Sequence, residues 1–220
     1  KPAGQNFSIY EKEQGKKHGL NKNSLKSALI SLCGCSQRQV APLFIYNAGI
    51  NPMNNHLSEN LVGIFDSGIG GLSVLREIHN MLPFQPLYYI ADQAHVPYGK
   101  RQMSEIRDFS FAITDFLAAM GSQVIIVACN TASAAALSEV RKEYPQLTFV
   151  GMEPAVKPAT QKTHNGIVGV LATPATFQGK LYHTLVEKFA RDVKILTHTC
   201  PGLVEAIESG EIATQNTISC

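Results

Sequence analysis

An α/β fold built on a mainly parallel sheet is predicted by two observations. From Leu61 onward, short runs of aliphatic and β-branched residues alternate with longer stretches whose apolar residues recur at helical spacing. Two of the short runs, Leu61–Phe65 and Val124–Ala128, end in polar residues and then pass into helix-like sequence, as strands do at the carboxyl edge of an open parallel sheet. Taken in order, LVGIF predicts a strand near 61–65, and the run from Leu72 to Leu82 predicts a helix. A strand near 86–91 follows. The helix over 104–120 takes Ser104 as its N-cap and lines Ile106, Phe109, Ile113, Phe116, Leu117 and Met120 on one face, as core. A strand near 123–128 leads into an Ala-rich helix over 132–144, and further strands are predicted near 147–151, 166–171 and 193–197. A helix over 179–190 buries Leu181, Leu185 and Phe189, leaving His183 and Lys188 in solvent, and a last helix spans 202–209.

With 220 residues, 45% of them hydrophobic and 16% charged, the chain can bury a sizeable core in one large or two small domains. No apolar run approaches the roughly 18 residues that cross a bilayer, so no membrane-spanning helix is expected. The formal charge of +2 conceals an asymmetry. Residues 1–52 carry seven Lys/Arg against two Glu, whereas residues 53–220 carry twelve Lys/Arg against fifteen Asp/Glu. The larger part is mildly acidic, which gives no electrostatic reason to expect nucleic acid as a partner.

Residues 1–52 read as an extension, polar and aperiodic except for Leu25–Cys35, and disorder is the expected state. The stretch is too short and too far inside the chain for a secretory signal, and Cys33-Gly34-Cys35 lacks further ligands, so no metal is expected. Met53 reads as a natural start. Five cysteines, at 33, 35, 129, 200 and 220, show no disulfide spacing and fit a reducing, cytoplasmic compartment.

The segment Val124–Ala132, VIIVACNTA, carries the most chemistry. Its strand delivers Cys129 into an Asn130-Thr131 turn that opens a helix, where free N–H groups and the helix dipole favour a thiolate. A packed structural thiol is the alternative, since free cysteine is among the most buried residue types. Leu61–Gly71, LVGIFDSGIGG, repeats the architecture with Asp66 and Ser67 at the strand end. In an open parallel sheet both strand ends converge on one crevice. The glycines do not form a dinucleotide fingerprint, because position 73 is Ser, nor a P-loop, nor a serine-hydrolase elbow. They allow a sharp turn whose amides and side chains can hold a zwitterionic amino acid.

With Asp92–Arg101, DQAHVPYGKR, the words DSGIGG, PYG and ACNTAS make the chain resemble the glutamate racemases of the aspartate/glutamate racemase family, from about Leu61 to about Glu211. That resemblance implies two similar α/β domains with the active site between them, here 53–154 and a partial second domain over 155–220, the boundary falling near Ala155–Thr160 or somewhat earlier. It implies a racemase that needs no cofactor and supplies D-glutamate to peptidoglycan. One thiolate removes the Cα proton while a thiol on the opposite face delivers another.

By the same resemblance Cys129 is the first catalytic cysteine, and Asp66 manages both that thiol and the substrate ammonium. Asp66, Ser67, Tyr98, Gly99, Asn130 and Thr131 would grip the substrate. Asp92 and Glu208 fall where the family places supporting carboxylates, although exposed loop and helix-end charges explain them equally well. Thr173 and Thr176 would contribute hydroxyls. The family's second cysteine lies in a Gly-Cys-Thr-His motif that these residues do not contain; Cys200 and Cys220 are not matches to it. The chain is therefore expected to lack the opposing thiol. The resemblance leaves open a homodimer, an aspartate racemase, and a non-catalytic relative that binds an amino acid or a partner such as DNA gyrase.

Overall fold

The computed structural model describes residues 60–211 together with a two-residue strand, Ile45–Tyr46. The readings on Cys33, Cys35, Met53 and Cys220 lie outside the described residues. Ile45–Tyr46, inside the segment read as an extension, forms β1. The remaining strands are β2 (Val62–Asp66), β3 (Leu87–Ala91), β4 (Val124–Val127), β5 (Thr148–Gly151), β6 (Ile167–Leu171) and β7 (Lys194–His198). The helices are α1 (Leu72–Met81), α2 (Met103–Ala119), α3 (Asn130–Glu143), α4 (Val156–Lys162), α5 (Pro174–Gln178), α6 (Lys180–Phe189) and α7 (Leu203–Ser209), with a short 3₁₀ turn at Tyr98–Lys100.

Two sheets form the mixed α/β architecture. The larger has the order β1-β3-β2-β4-β5, parallel throughout except for β1, which runs antiparallel to β3 at the edge. The smaller pairs β6 with β7 in parallel. Strand alternation sends neighbouring residues to opposite faces. Phe65, Ile90, Ile125 and Val127 pack with Ile106, Ile113, Phe116 and Leu117 of α2 and with Ala132, Ala136 and Val140 of α3. On the other face Ile64, Leu87 and Tyr89 meet Leu72, Val74, Leu75 and Ile78 of α1. Burial on both faces explains why these strands read as continuous apolar runs.

The smaller sheet packs Val170 and Ile195 against Val156 of α4 and Tyr182 and Leu185 of α6. His183 and Lys188 face solvent, as the spacing predicts. The core also crosses between the sheets, because Ala175 of α5 belongs to the cluster that holds Cys129.

The structure differs from the predicted elements at helix starts. Ser104 is not the N-cap of α2. Gln102 occupies that position, and its amide donates to the Glu105 carboxylate at 3.0 Å. α3 begins at Asn130 instead of 132, so Asn130 and Thr131 form its first turn and Cys129 itself is the N-cap. Helices α4 and α5 were not predicted. Each carries a proline, Pro158 and Pro174, within its first turn, where the missing N–H costs nothing.

Candidate active site

The ends of β2 and β4 build the site. These strands pair in parallel with Phe65 opposite Val127, so the residues two places further on, Ser67 and Cys129, emerge side by side. Ser67 Oγ lies 3.6 Å from Cys129 Sγ. Cys129 caps α3, its sulfur accepting from the Ala132 amide at 3.4 Å. That is the strand-to-helix position read from the sequence, but its electrostatic consequence is the reverse of the one expected. Burial, reinforced by the charge of Asp66, pushes the Cys129 thiol up to about 12, and the Ala132 N–H and Ser67 offset this only in part. Cys129 is 6% exposed, so desolvation of the thiolate outweighs the helix-end field.

Asp66 is also buried. Its Oδ2 accepts from the Gly71 amide at 2.7 Å, which ties the glycine turn back onto the strand end. Burial raises the Asp66 carboxyl above its ordinary value, opposed first by the Gly71 amide and then by Cys129. Tyr89, on the adjacent strand β3, donates to the Gly68 carbonyl at 2.9 Å and braces the same turn from below. A Cβ at Gly71 would stand 2.6 Å from Asp66 Cβ and 2.8 Å from Tyr89 Oη, so only glycine lets the turn close over both.

The loop after β3 supplies a third wall. Tyr98 is fully buried, and its hydroxyl donates to Asp92 Oδ2 at 2.6 Å. His95 Nδ1 lies 2.8 Å from both Asp92 oxygens and its ring stacks on Phe109, with centroids 3.9 Å apart. Asp92 is thus a half-buried, fully partnered carboxylate, and the exposed-charge reading does not hold for it. Gly99 touches Thr173 so closely that a Cβ would sit 2.7 Å from Thr173 Cβ.

The fourth wall comes from α5. Thr173 caps that helix, its hydroxyl accepting from the Thr176 amide at 3.3 Å. The hydroxyls of Thr131, Thr173 and Thr176 form a triangle with sides of 2.8, 3.2 and 2.9 Å. Glu208, on α7, accepts from the Ile69 amide at 3.0 Å, so it too is a partnered group and not a free helix-end charge. Asn130 is exposed at the mouth, one residue from Cys129. Cys200 is buried two residues beyond the end of β7.

The structure therefore gathers the sequence-predicted residues from both sheets. Sequence reasoning missed Tyr89, Gln93, His95, Lys100 and Glu205. Tyr89 carried a signal, since strand alternation puts it on the face opposite Ile90; the others lie in loop and helix-end positions where only the tertiary structure assigns partners. Among the described residues no cluster of His, Cys, Asp or Glu could hold a metal ion, and no helix is long and apolar enough to cross a membrane.

Residues 62–218 match the Asp/Glu/Hydantoin racemase family model. The chain belongs to that family. It is 53% identical over 155 residues to a glutamate racemase of Ectopseudomonas mendocina, covering 70% of this chain and 59% of that protein. It is 54% identical over 151 residues to a glutamate racemase of Pseudomonas aeruginosa, covering 69% and 57%. Among solved structures, the Escherichia coli glutamate racemase in complex with L-glutamate and the activator UDP-MurNAc-ala superposes with a TM-score of 0.65 at 35% identity, covering 73% of this chain and 60% of that one. The Francisella tularensis enzyme in complex with D-glutamate gives 0.61 at 30% identity, covering 71% and 59%. The chain spans about three-fifths of the length of these relatives.

Proposed function

We propose that this protein interconverts L- and D-glutamate by proton transfer at Cα, without a cofactor, and that it supplies D-glutamate for peptidoglycan from the cytoplasm. The observation that carries the reading is the meeting of Cys129 with Asp66 and Ser67 at the adjoining ends of β2 and β4. The names of relatives about half identical in sequence favour glutamate over aspartate.

In this reading the substrate ammonium lies beside Asp66 and Cys129. A cation there stabilises both anions and lowers both pKa values, so the proton that burial holds on Cys129 passes to solvent water as substrate binds, leaving the thiolate. The thiolate then takes the Cα proton, the S–H bond forms as the C–H bond breaks, and the electron pair moves into the substrate carboxylate. The amides and hydroxyls of Ser67, Gly99, Asn130 and Thr131 hold that carboxylate, with Tyr98 fixed behind them by Asp92 and the Thr131–Thr173–Thr176 triangle closing the far wall. By the family resemblance, return of a proton to the opposite face belongs to a second thiol in a Gly-Cys-Thr-His motif.

The test is incubation of each glutamate enantiomer in D₂O, following the Cα–H signal and the optical rotation together. These 220 residues are expected to exchange the Cα proton of D-glutamate with retention, without racemisation at a useful rate, and Cys129→Ala is expected to abolish the exchange. Exchange that persists in Cys129→Ala, or no binding of either enantiomer, would overturn the assignment.

A further inference from the structure

Helix α7 is only seven residues long and none of its side chains is buried. A helix this short does not hold itself by hydrogen bonding alone, and α7 lacks the buried apolar stripe that would seat it. Its place is set by polar contacts to two loops of the larger sheet. Glu208 accepts from the Ile69 amide through Oε1 at 3.0 Å and through Oε2 at 3.3 Å, and Gln93 Nε2 donates to Oε2 at 3.3 Å. The carboxylate fills the space beside Gly68, where a Cβ would lie 2.0 Å from Oε1. Glu205, three residues earlier and so on the same helix face, forms an ion pair with Lys100 at the end of the 3₁₀ turn. The two carboxylates grip the turn after β2 and the loop after β3, the walls that present Ser67 and Tyr98.

We infer that Lys100 and Gln93 are positioning residues: through Glu205 and Glu208 they hold α7 in the register that sets the Glu208 carboxylate against the Gly68–Ile69 turn, one residue from Ser67. Two points of attachment fix both the height and the rotation of a one-face helix, where Glu208 alone would leave it free to pivot. The purpose of this register rests on the glutamate-site reading above; the register itself does not. Neither Lys100 nor Gln93 touches the Cys129 thiol, so their effect is transmitted through α7.

Hydrogen exchange at the Ile69 amide reads the docking of Glu208 directly, and protection of Cys129 from iodoacetamide by glutamate reads the site. Exposed ion pairs are weak, so Lys100→Glu, Glu205→Lys and Gln93→Ala are each expected to speed Ile69 exchange by about two- to fivefold and to weaken glutamate protection in parallel. The charge swap Lys100→Glu with Glu205→Lys is expected to restore both readouts, as is Lys100→Arg. Where a charge reversal unfolds the chain, Lys100→Gln takes its place, with exchange expected to rise while Lys100→Arg stays near the unaltered protein. Unchanged Ile69 exchange in the single variants, or a swap that stays folded without restoring it, overturns the inference. Faster Ile69 exchange with no glutamate protection even in the unaltered protein supports the register and overturns the glutamate reading; full protection with unchanged exchange does the opposite.

Discussion

Ser67 Oγ and Cys129 Sγ are 3.6 Å apart although 62 residues separate them in the chain. The contact follows from parallel pairing of β2 with β4: Phe65 stands opposite Val127, the Ala128 amide donates to the Phe65 carbonyl at 2.8 Å, and the next residues leave the sheet together. One strand end is a glycine turn and the other is a helix start, and a thiol, a hydroxyl and a buried carboxylate meet between them. Burial there disfavours negative charge on both the carboxylate and the thiol.

Asp66→Asn should therefore make Cys129 more reactive in the empty protein. After burial, the Asp66 charge is the largest influence raising the thiol, and its removal lowers the pKa and enlarges the thiolate fraction at any pH below about 12. Iodoacetamide labelling of Cys129 at pH 8 is expected to be severalfold faster in Asp66→Asn. In the unaltered protein the rate should rise about tenfold per pH unit between 7 and 10 with no plateau, since the titration lies above that range. A plateau near pH 8 would place the thiolate where the helix-end argument alone puts it.

Alkaline stability tests the same burial through a different observable. The Cys129 thiol moves from 9.0 to about 12 on folding. Between those values the native state keeps a proton that the unfolded chain has released, so stability is intact below pH 9 and is lost as pH rises toward 12. Three units correspond to a loss on the order of 4 kcal/mol for this group. Tyr88, pushed up to about 12 by burial, adds in the same direction. Urea midpoints measured at pH 7.5 and 10.5 should fall more in the unaltered protein than in Cys129→Ser, which cannot titrate; equal falls would show that the thiol is not desolvated.

Much of this arrangement was legible in the chain before its structure. The central strands β2, β3 and β4 are buried on both faces, and their apolar runs mark them within a residue or two, whereas β1 falls in the segment read as an extension; DSGIGG and ACNTAS mark the ends of β2 and β4. Helix α4 was not legible because Pro158 in a seven-residue helix reads as a break, and α5 because five residues contain too little periodicity. The polar partners were not legible either. Nothing local to Asp92 shows that Tyr98 and His95 both turn onto it, or that Glu208 reaches the Ile69 amide 139 residues away. The pKa of Cys129 depended on the same missing information, since a helix N-terminus is readable in sequence and depth of burial is not.

Thr173→Val should separate the capping role of α5 from mere packing. The substitution keeps the shape but removes the oxygen that accepts from the Thr176 amide and bonds to the hydroxyls of Thr131 and Thr176. Loss of a cap and of buried hydrogen bonds is expected to cost about 1–2 kcal/mol, read as a lower urea midpoint with an unchanged slope. Thr173→Ser retains the oxygen and should lose less than half of that. A Thr173→Val protein as stable as the parent, with the loss falling on Thr173→Ser, would assign the effect to the methyl group.

Two glycines in parallel strands and turns should respond oppositely to alanine. At Gly71 the added methyl would meet Asp66 Cβ at 2.6 Å, Tyr89 Oη at 2.8 Å and Ala128 Cβ at 3.1 Å, all held by the sheet, so the turn must open. Overpacking at such a site costs about 1–3 kcal/mol, and release of the Gly71 amide from Asp66 removes the main contact opposing the rise of that carboxyl. At Gly169, in β6, nothing lies within 4 Å of the new methyl and the backbone needs no left-handed conformation. Alanine there reduces the freedom of the unfolded chain without strain, which stabilises by about 0.4–1 kcal/mol. Urea denaturation of the two variants side by side checks both signs. A Gly71→Ala protein as stable as the parent would mean that the Asp66 turn is loose enough to accept a side chain, and a rigid carboxylate wall beside Cys129 would no longer stand.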